Sequence, residues 1–231
     1  MSKERIVFVH GSGSFGAAAW PRQHGLARDY DALFVKRLGY DAAAEPVASD
    51  FLADRDIVLD SLGEGGHVVA HSQGAIAAML AAVQAPDLVR SLVLVEPACL
   101  SITAELPATQ AYRTRLEPLF SRRLEMTDEE FSGEAIRIAH AMQAPPVTDE
   151  SRRQARRMRL QAPPWEAPLE IVPGVPTLVL TGGWEPLYEE IAQYLASTGA
   201  VHRITAGGHQ PQETDAGDRL IRDFLRAHRC V

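Results

Sequence analysis

An open α/β fold built on a parallel sheet is predicted by three observations. Short Val-, Ile- and Leu-rich runs recur along the 231 residues, stretches of helical character separate them, and the runs are apolar throughout rather than alternating. Continuous apolar runs suit strands buried on both faces, and regular strand–helix alternation suits right-handed crossovers between parallel strands. Strands are expected near residues 5–9, 32–36, 67–70, 91–95, 177–180 and 201–205, which makes a six-stranded sheet. Helices are expected near 20–28, 51–62, 73–85, 187–196 and 216–227, with Asp50 as N-cap of the second.

The alternation breaks once, between residues 100 and 172, where no strand-like run occurs. Thr127 and Glu130 stand at the spacing of a capping box and open a helix toward Met142. A second helix is expected from Thr148 through the Arg-rich SRRQARRMRLQ, bracketed by the Pro-rich stretches APPV and APPWEAP. The domain reading is a core of residues 1–99 and 173–231 with a helical lid, 100–172, inserted before the penultimate strand. The arginines of the lid read as a solvated helix face balanced by nearby Glu residues, in preference to a clamp for a substrate carboxylate.

Composition narrows the partners. Apolar residues make up 46% and charged residues 23%, and the formal charge is -7 with no Lys/Arg block free of acids. Nucleic acid and anionic membrane are therefore not expected partners. The segment MSKERIVFVHG has no apolar run of signal-peptide length, and nothing in the chain approaches the roughly 18 apolar residues that span a bilayer. Cys99 and Cys230 form no disulfide framework or zinc set, so no metal is expected. A cytoplasmic, cofactor-free protein is the simplest expectation.

Chemistry concentrates in HVVAHSQGAIAAML. Val68 and Val69 end an apolar strand, Ala70-His71-Ser72-Gln73-Gly74 turns sharply, and an Ala-rich helix follows. Strand, tight turn with a central Ser, helix is the layout of a nucleophile elbow, in which the residues two before and two after the nucleophile must be small. Ala70 and Gly74 meet that need, with Ala where Gly is more usual.

A serine hydroxyl needs a base, and the base needs an acid to orient it. In an open α/β sheet such partners lie at the carboxyl ends of strands. His209 follows the last strand in ITAGGHQPQ, where Gly207 and Gly208 give a flexible lead. His71 is pinned inside the elbow, and His24, His140, His202 and His228 sit on expected helices or within a strand. Two acids qualify: Glu96 ends SLVLVEP, and Glu185 lies in LTGGWEPLY, just past the next strand. Neither is an ordinary solvated charge, and one could orient the imidazole while the other caps the helix near Leu187. Two backbone N–H groups for a developing oxyanion are expected from Gln73 and from Ser12, in the loop VHGSGSFGAAAW. That loop is not a phosphate loop, since no Lys follows at the required spacing.

HGSGSFGAAAW, AHSQG, LVLVEPA, TGGWEPLY and AGGHQPQ, in this order across nearly the whole chain, resemble the α/β-hydrolase superfamily. The resemblance implies a six-stranded parallel sheet without the family's first two antiparallel strands, a helical cap at 100–172, Ser72 as nucleophile and His209 as base. The family usually carries Asp at the place of Glu185. Some members, such as haloalkane dehalogenases and certain lactonases, put the acid one strand earlier, and Glu96, 24 residues after Ser72, suits that arrangement. The reading leans to Glu96. It implies hydrolysis of a small, largely apolar ester or lactone by water through an acyl-enzyme. Thioester or C–C hydrolysis, lyase or acyl-transfer chemistry, and a non-catalytic ligand receptor on the same fold are the rivals. Ser at the elbow argues against epoxide hydrolase and dehalogenase chemistry, which in this family resembles attack by Asp. Trp165, Phe120, Phe131, Leu116, Met126 and Met142 of the lid either line a pocket or only pack the lid onto the core.

Overall fold

Strands β1 (Arg5–Val9), β2 (Asp31–Val35), β3 (Gly66–His71), β4 (Val89–Val95), β5 (Thr177–Thr181) and β6 (Val201–Ile204) form one sheet in the order β2-β1-β3-β4-β5-β6. Every neighbouring pair is parallel, as the apolar runs predict. The structure is a computed structural model and describes residues 3–140, 148–171 and 174–229. Met142, the APPV stretch, the expected lid boundary at 172/173 and Cys230 lie outside the described residues. The chain first steps from β1 to β2 on one side and then crosses to β3 on the other. The crevice at the carboxyl ends of β1 and β3 is thus a switch point of the kind that holds ligands in open α/β sheets.

Alternate residues of each strand feed opposite faces. Val7, Val9, Val68, Ala70, Leu92 and Leu94 pack toward α1 (Phe51–Leu62), α2 (Gly74–Gln84) and α6 (Pro186–Ser197). Ile6, Phe8, Val69, Val93 and Val95 pack toward α7 (Asp215–Ala227) and the loop carrying Trp20, Leu26 and Tyr30. Helix α2 is buried from Gly74 to Ala82, and its alanines let it lie close against the sheet directly behind Ser72. Asp50 caps α1 as expected, its side chain accepting from the N–H groups of Leu52 and Ala53.

One expected helix is absent. Residues 20–28 do not form a single α-helix; two short 3₁₀ stretches, Gly16–Ala19 and Gln23–Arg28, take their place. Pro21 removes an N–H and restricts Trp20, and the indole of Trp20 is drawn fully into the core.

Between β4 and β5 lie α3 (Pro107–Ser121), α4 (Asp128–His140) and α5 (Asp149–Arg159), with no strand among the described residues. Two starts are as expected. The Thr127 N–H donates to Glu130 while the Glu130 N–H donates to Thr127 Oγ1, and Thr148 and Ser151 cap each other in the same way. Helix α3 is not anticipated, because Pro118 interrupts its pattern; the structure tolerates that proline in the last turn. Leu116, Leu119, Phe120, Phe131 and Ala135 pack these helices on one another.

The arginines of α5 are a solvated face only in part: Arg152 and Arg156 are exposed, while Arg153 and Arg157 turn inward. Arg157 is buried, its guanidinium lies 4.7 Å from the Phe15 ring, and it donates to the carbonyls of Gly39 and Asp41. Arg153 donates to the carbonyls of Asp41 and Ala44. A guanidinium stacks on a ring with little desolvation cost and carries enough donors to hold a loop of bare carbonyls. These arginines therefore dock α5 on the loop after β2.

Candidate active site

Ser72 occupies the turn between β3 and α2 with φ 52°, and Glu96, the residue after β4, has φ 46°. Among the described residues these are the only non-glycine positions with positive φ. Each such placement costs on the order of 1–3 kcal/mol and persists only where surroundings enforce it. The enforcement is visible. The Ser72 N–H donates to the Val95 carbonyl, and the Ser72 carbonyl accepts from Ala98, so the two turns are sewn together. A Cβ on Gly74 would meet the carbonyl oxygens of His10 and Val9 at 2.5 and 2.6 Å, and one on Gly11 would meet Ser72 Cβ at 3.0 Å. Both glycines are needed for the elbow and the loop after β1 to touch.

His209 hangs from the loop after β6. Its Nε2 lies 3.2 Å from Ser72 Oγ and its Nδ1 lies 3.3 Å from Glu96 Oε2. With Nδ1–H directed to the carboxylate, Nε2 is left to accept the serine proton. Glu96 is fully buried and accepts from the Gly182 N–H at 2.6 Å and Trp184 Nε1–H at 2.9 Å. Burial pushes its pKa up to about 7, against the pull of those two donors. The imidazole is further framed by Trp184 and Tyr188, with ring centroids 5.9 and 5.0 Å away. Its own carbonyl accepts from His71 Nε2–H at 2.8 Å.

Of the two candidate acids, the structure brings Glu96 and not Glu185 to His209. Glu185 sits at the N-cap of α6, makes no side-chain capping bond, and pairs with Arg115 at 3.5 Å. Strand order alone does not decide this, since β5 and not β4 borders β6. Glu96 is turned by its positive φ so that its carboxylate reaches Gly182, Trp184 and His209, while Glu185 lies four residues past β5 and faces Arg115 of α3.

Ser12 and Gln73 flank Ser72 at the mouth of the same cavity, and Ser12 Oγ–H donates to Gln73 Oε1 at 3.2 Å. The Gln73 amide also donates to the Ala162 carbonyl, and Gln154 of α5 donates to the Ser12 carbonyl, so the helical segment rests on both loops. Beneath the loop, His10 Nε2 accepts from the Arg37 N–H and Arg37 donates to the Gly11 carbonyl and faces Asp54.

The cavity holds about 400 Å³ and is lined by Leu116, Phe120, Ile136, Met158 and Trp165 on one side and by Gln154, Gln161 and Gln210 nearer the loops. No Lys or Arg is among its described lining residues. Phe131, in contrast, is buried among the helices, and Met126 packs beside it rather than lining the cavity. Four contributors escape sequence reasoning: Gly182, Trp184, His71 and Tyr188. The Gly182-Gly183 pair was the one available signal, since paired glycines mark close backbone approach. Among the described residues no group of three or more His, Cys, Asp or Glu is placed to hold a metal, and no helix is long and apolar enough to cross a membrane. Cys99 is buried and its thiol pKa is driven up by that burial.

Buried histidines on β3 make stability depend on pH. Burial lowers His67 to about 4 and His71 to about 3. The unfolded chain protonates them near 6.5, so below that value it binds more protons than the folded chain and stability falls with pH. Glu96, pushed up to about 7, and Asp54, also raised by burial, work in the opposite direction, but burial lowers His10 and His202 as well, which leaves the histidines in the majority. The melting temperature is expected to be lower at pH 4.5 than at pH 7.5. Equal values in thermal scans would show that these histidines titrate normally.

Comparison with known proteins agrees with this picture. Residues 6–223 match the model of the alpha/beta hydrolase family. A stretch of 129 residues is 30% identical to the probable lysophospholipase BODYGUARD 1 of Arabidopsis thaliana, covering 51% of this chain and 28% of that protein. Among solved structures, MenH from S. aureus superposes with a TM-score of 0.70 at 17% identity, over 99% of this chain and 95% of the other. A carboxylesterase of Nitrososphaera gargenis gives 0.68 at 11% identity over 98% and 91%, and the Bacillus megaterium epoxide hydrolase 0.63 at 16% over 98% and 95%. At such identities the structures share the fold and nothing finer. The family model spans nearly the whole chain, and the chain therefore belongs to the α/β-hydrolase family.

Proposed function

We propose that the protein is a serine hydrolase that cleaves a carboxylic ester or lactone of a small, largely apolar molecule. The observation that carries this reading is the connected set Ser72 Oγ, His209 and Glu96, at 3.2 and 3.3 Å, with both Ser72 and Glu96 held in strained turns. His209 Nε2 takes the proton of Ser72 as Oγ attacks the carbonyl carbon. The N–H groups of Ser12 and Gln73 receive the developing oxyanion, and Glu96 stabilises the imidazolium. The imidazolium then protonates the leaving alcohol, and water repeats the sequence to release the acid. Residues 100–172 act as a lid that supplies the acyl pocket through Leu116, Phe120 and Trp165. A lining without Lys or Arg favours neutral acyl groups over carboxylate-bearing ones. No cofactor enters this chemistry; the partners are the substrate and water.

The test is reaction with a fluorophosphonate probe followed by mass spectrometry of the labelled peptide. Label is expected on Ser72 and is expected to be lost in His209→Ala, with Ser72→Ala failing to turn over an activated ester. Absence of label on a folded protein would set the hydrolase reading aside.

A further inference from the structure

Tyr188, the last residue of TGGWEPLY, enters the site from the first turn of α6. Its side chain is buried, and its ring lies 5.0 Å from that of His209, whose Nε2 faces Ser72 Oγ. Both Tyr188 and Ser72 line the cavity. A buried phenol normally spends its O–H on a structural partner. Here it borders the cavity that also holds Ser72 and His209.

The strand order says which part of a substrate Tyr188 would face. Ser72 follows β3; the loop after β1, with Ser12, lies on one side of it, and the elements after β5 and β6, with Tyr188 and His209, lie on the other. A carbonyl oxygen directed at Ser12 and Gln73 therefore leaves the alcohol oxygen on the side of His209 and Tyr188. Burial and the nearby carboxylates raise the phenol's pKa well above its ordinary value, so the hydroxyl keeps its proton and stays a donor.

Resting on the acyl-enzyme reading, we propose that Tyr188 is a further catalytic residue that hydrogen-bonds the leaving alcohol oxygen and adapts the site to unactivated alkyl esters. When the tetrahedral intermediate collapses, the bond from carbon to the alcohol oxygen breaks and its electron pair stays on that oxygen. The proton comes from His209 Nε2, the one taken from Ser72 during attack. Tyr188 transfers nothing; its O–H donates to the oxygen while negative charge builds there. That help matters most when the alkoxide is a poor leaving group and least when the leaving group is a stable phenolate.

The test compares p-nitrophenyl and ethyl esters of the same acid in wild type and Tyr188→Phe, reading kcat/KM, which reports acylation. Phe keeps the ring against His209 and removes only the hydroxyl. The expected result is a loss of about 100-fold on the ethyl ester and under about 10-fold on the p-nitrophenyl ester, so that the ratio between them widens at least about 10-fold. Equal losses on both esters would make Tyr188 structural, and no loss on either would remove it from the reaction; each overturns the proposal. Fluorophosphonate labelling of Ser72 in Tyr188→Phe shows that the site is still assembled. If wild type hydrolyses neither ester and takes no label, the hydrolase reading itself fails and Tyr188 falls with it. A wild type that is active beside an unshifted ratio sinks the tyrosine alone.

Discussion

Glu96→Gln is expected to lower kcat/KM on an activated ester by about 10⁴-fold, while Glu185→Gln stays within about threefold of wild type. Glu96 is the carboxylate that receives His209 Nδ1–H, so replacing it removes the group that selects the tautomer with a free Nε2. A glutamine also meets two further donors, Gly182 N–H and Trp184 Nε1–H, with one acceptor oxygen instead of two. The NH₂ group must then face either the Gly182 N–H or, at the other position, both Trp184 Nε1–H and His209 Nδ1, and each choice loosens the seat of the imidazole. Glu185 loses only an ion pair with the half-exposed Arg115, a contact worth about 0–1 kcal/mol. Michaelis–Menten kinetics on the two variants decide the matter. Comparable losses in both, or a larger loss in Glu185→Gln, would overturn the assignment of Glu96.

Gly182→Ala is expected to be the most damaging single-methyl change near the site. The added Cβ would sit 1.9 Å from the Gly208 carbonyl oxygen and 2.7 Å from its carbon, both backbone atoms. Neither can swing aside as a flexible side chain would. The loop after β5 must separate from the loop that carries His209, and the Gly182 N–H that anchors Glu96 moves with it. Overpacking of this sort costs about 3 kcal/mol, or roughly 6–12 °C in melting temperature for a chain of this length. A displacement of His209 by about 1 Å costs on the order of 100-fold in rate. Gly183→Ala is the matched control: its φ of 68° imposes strain of about 1–2 kcal/mol, but its nearest obstacle is the Ile204 side chain at 3.2 Å. Urea midpoints and kcat/KM measured on both variants test this. A Gly182→Ala protein as stable and active as Gly183→Ala would refute the close-approach argument.

These two predictions fall on either side of what the linear chain discloses. The strands were legible because a parallel strand buried on both faces must be apolar at every position, and that pattern is local. Ser72 was legible for a related reason: an elbow needs small residues at fixed offsets, and Gly74 stands where a Cβ would strike the backbone of β1. His209 was marked by the glycines before it. Local pattern failed where a proline cut across it. Pro21 turned an expected helix into two 3₁₀ stretches, and Pro118 concealed α3 inside a segment whose other helix starts were announced by their caps. It failed again for Arg157, since an arginine that stacks on aromatic rings and one that faces water have the same sequence signature.

By itself, then, the sequence determined the α/β class and singled out Ser72 and His209, because each depends on residues close together along the chain. Which carboxylate faces His209, the placing of Trp184 and His71, and the presence of Tyr188 beside His209 were decided only by tertiary structure. Glu96 and Glu185 both follow buried strands, and nothing local separates them. What separates them is that Glu96 follows β4 directly and is bent into positive φ so that its carboxylate reaches across the β5 loop to His209, while Glu185 lies four residues past β5 beside Arg115. Long-range contacts of that kind arise from how strands stack across the sheet, which no spacing along the chain encodes.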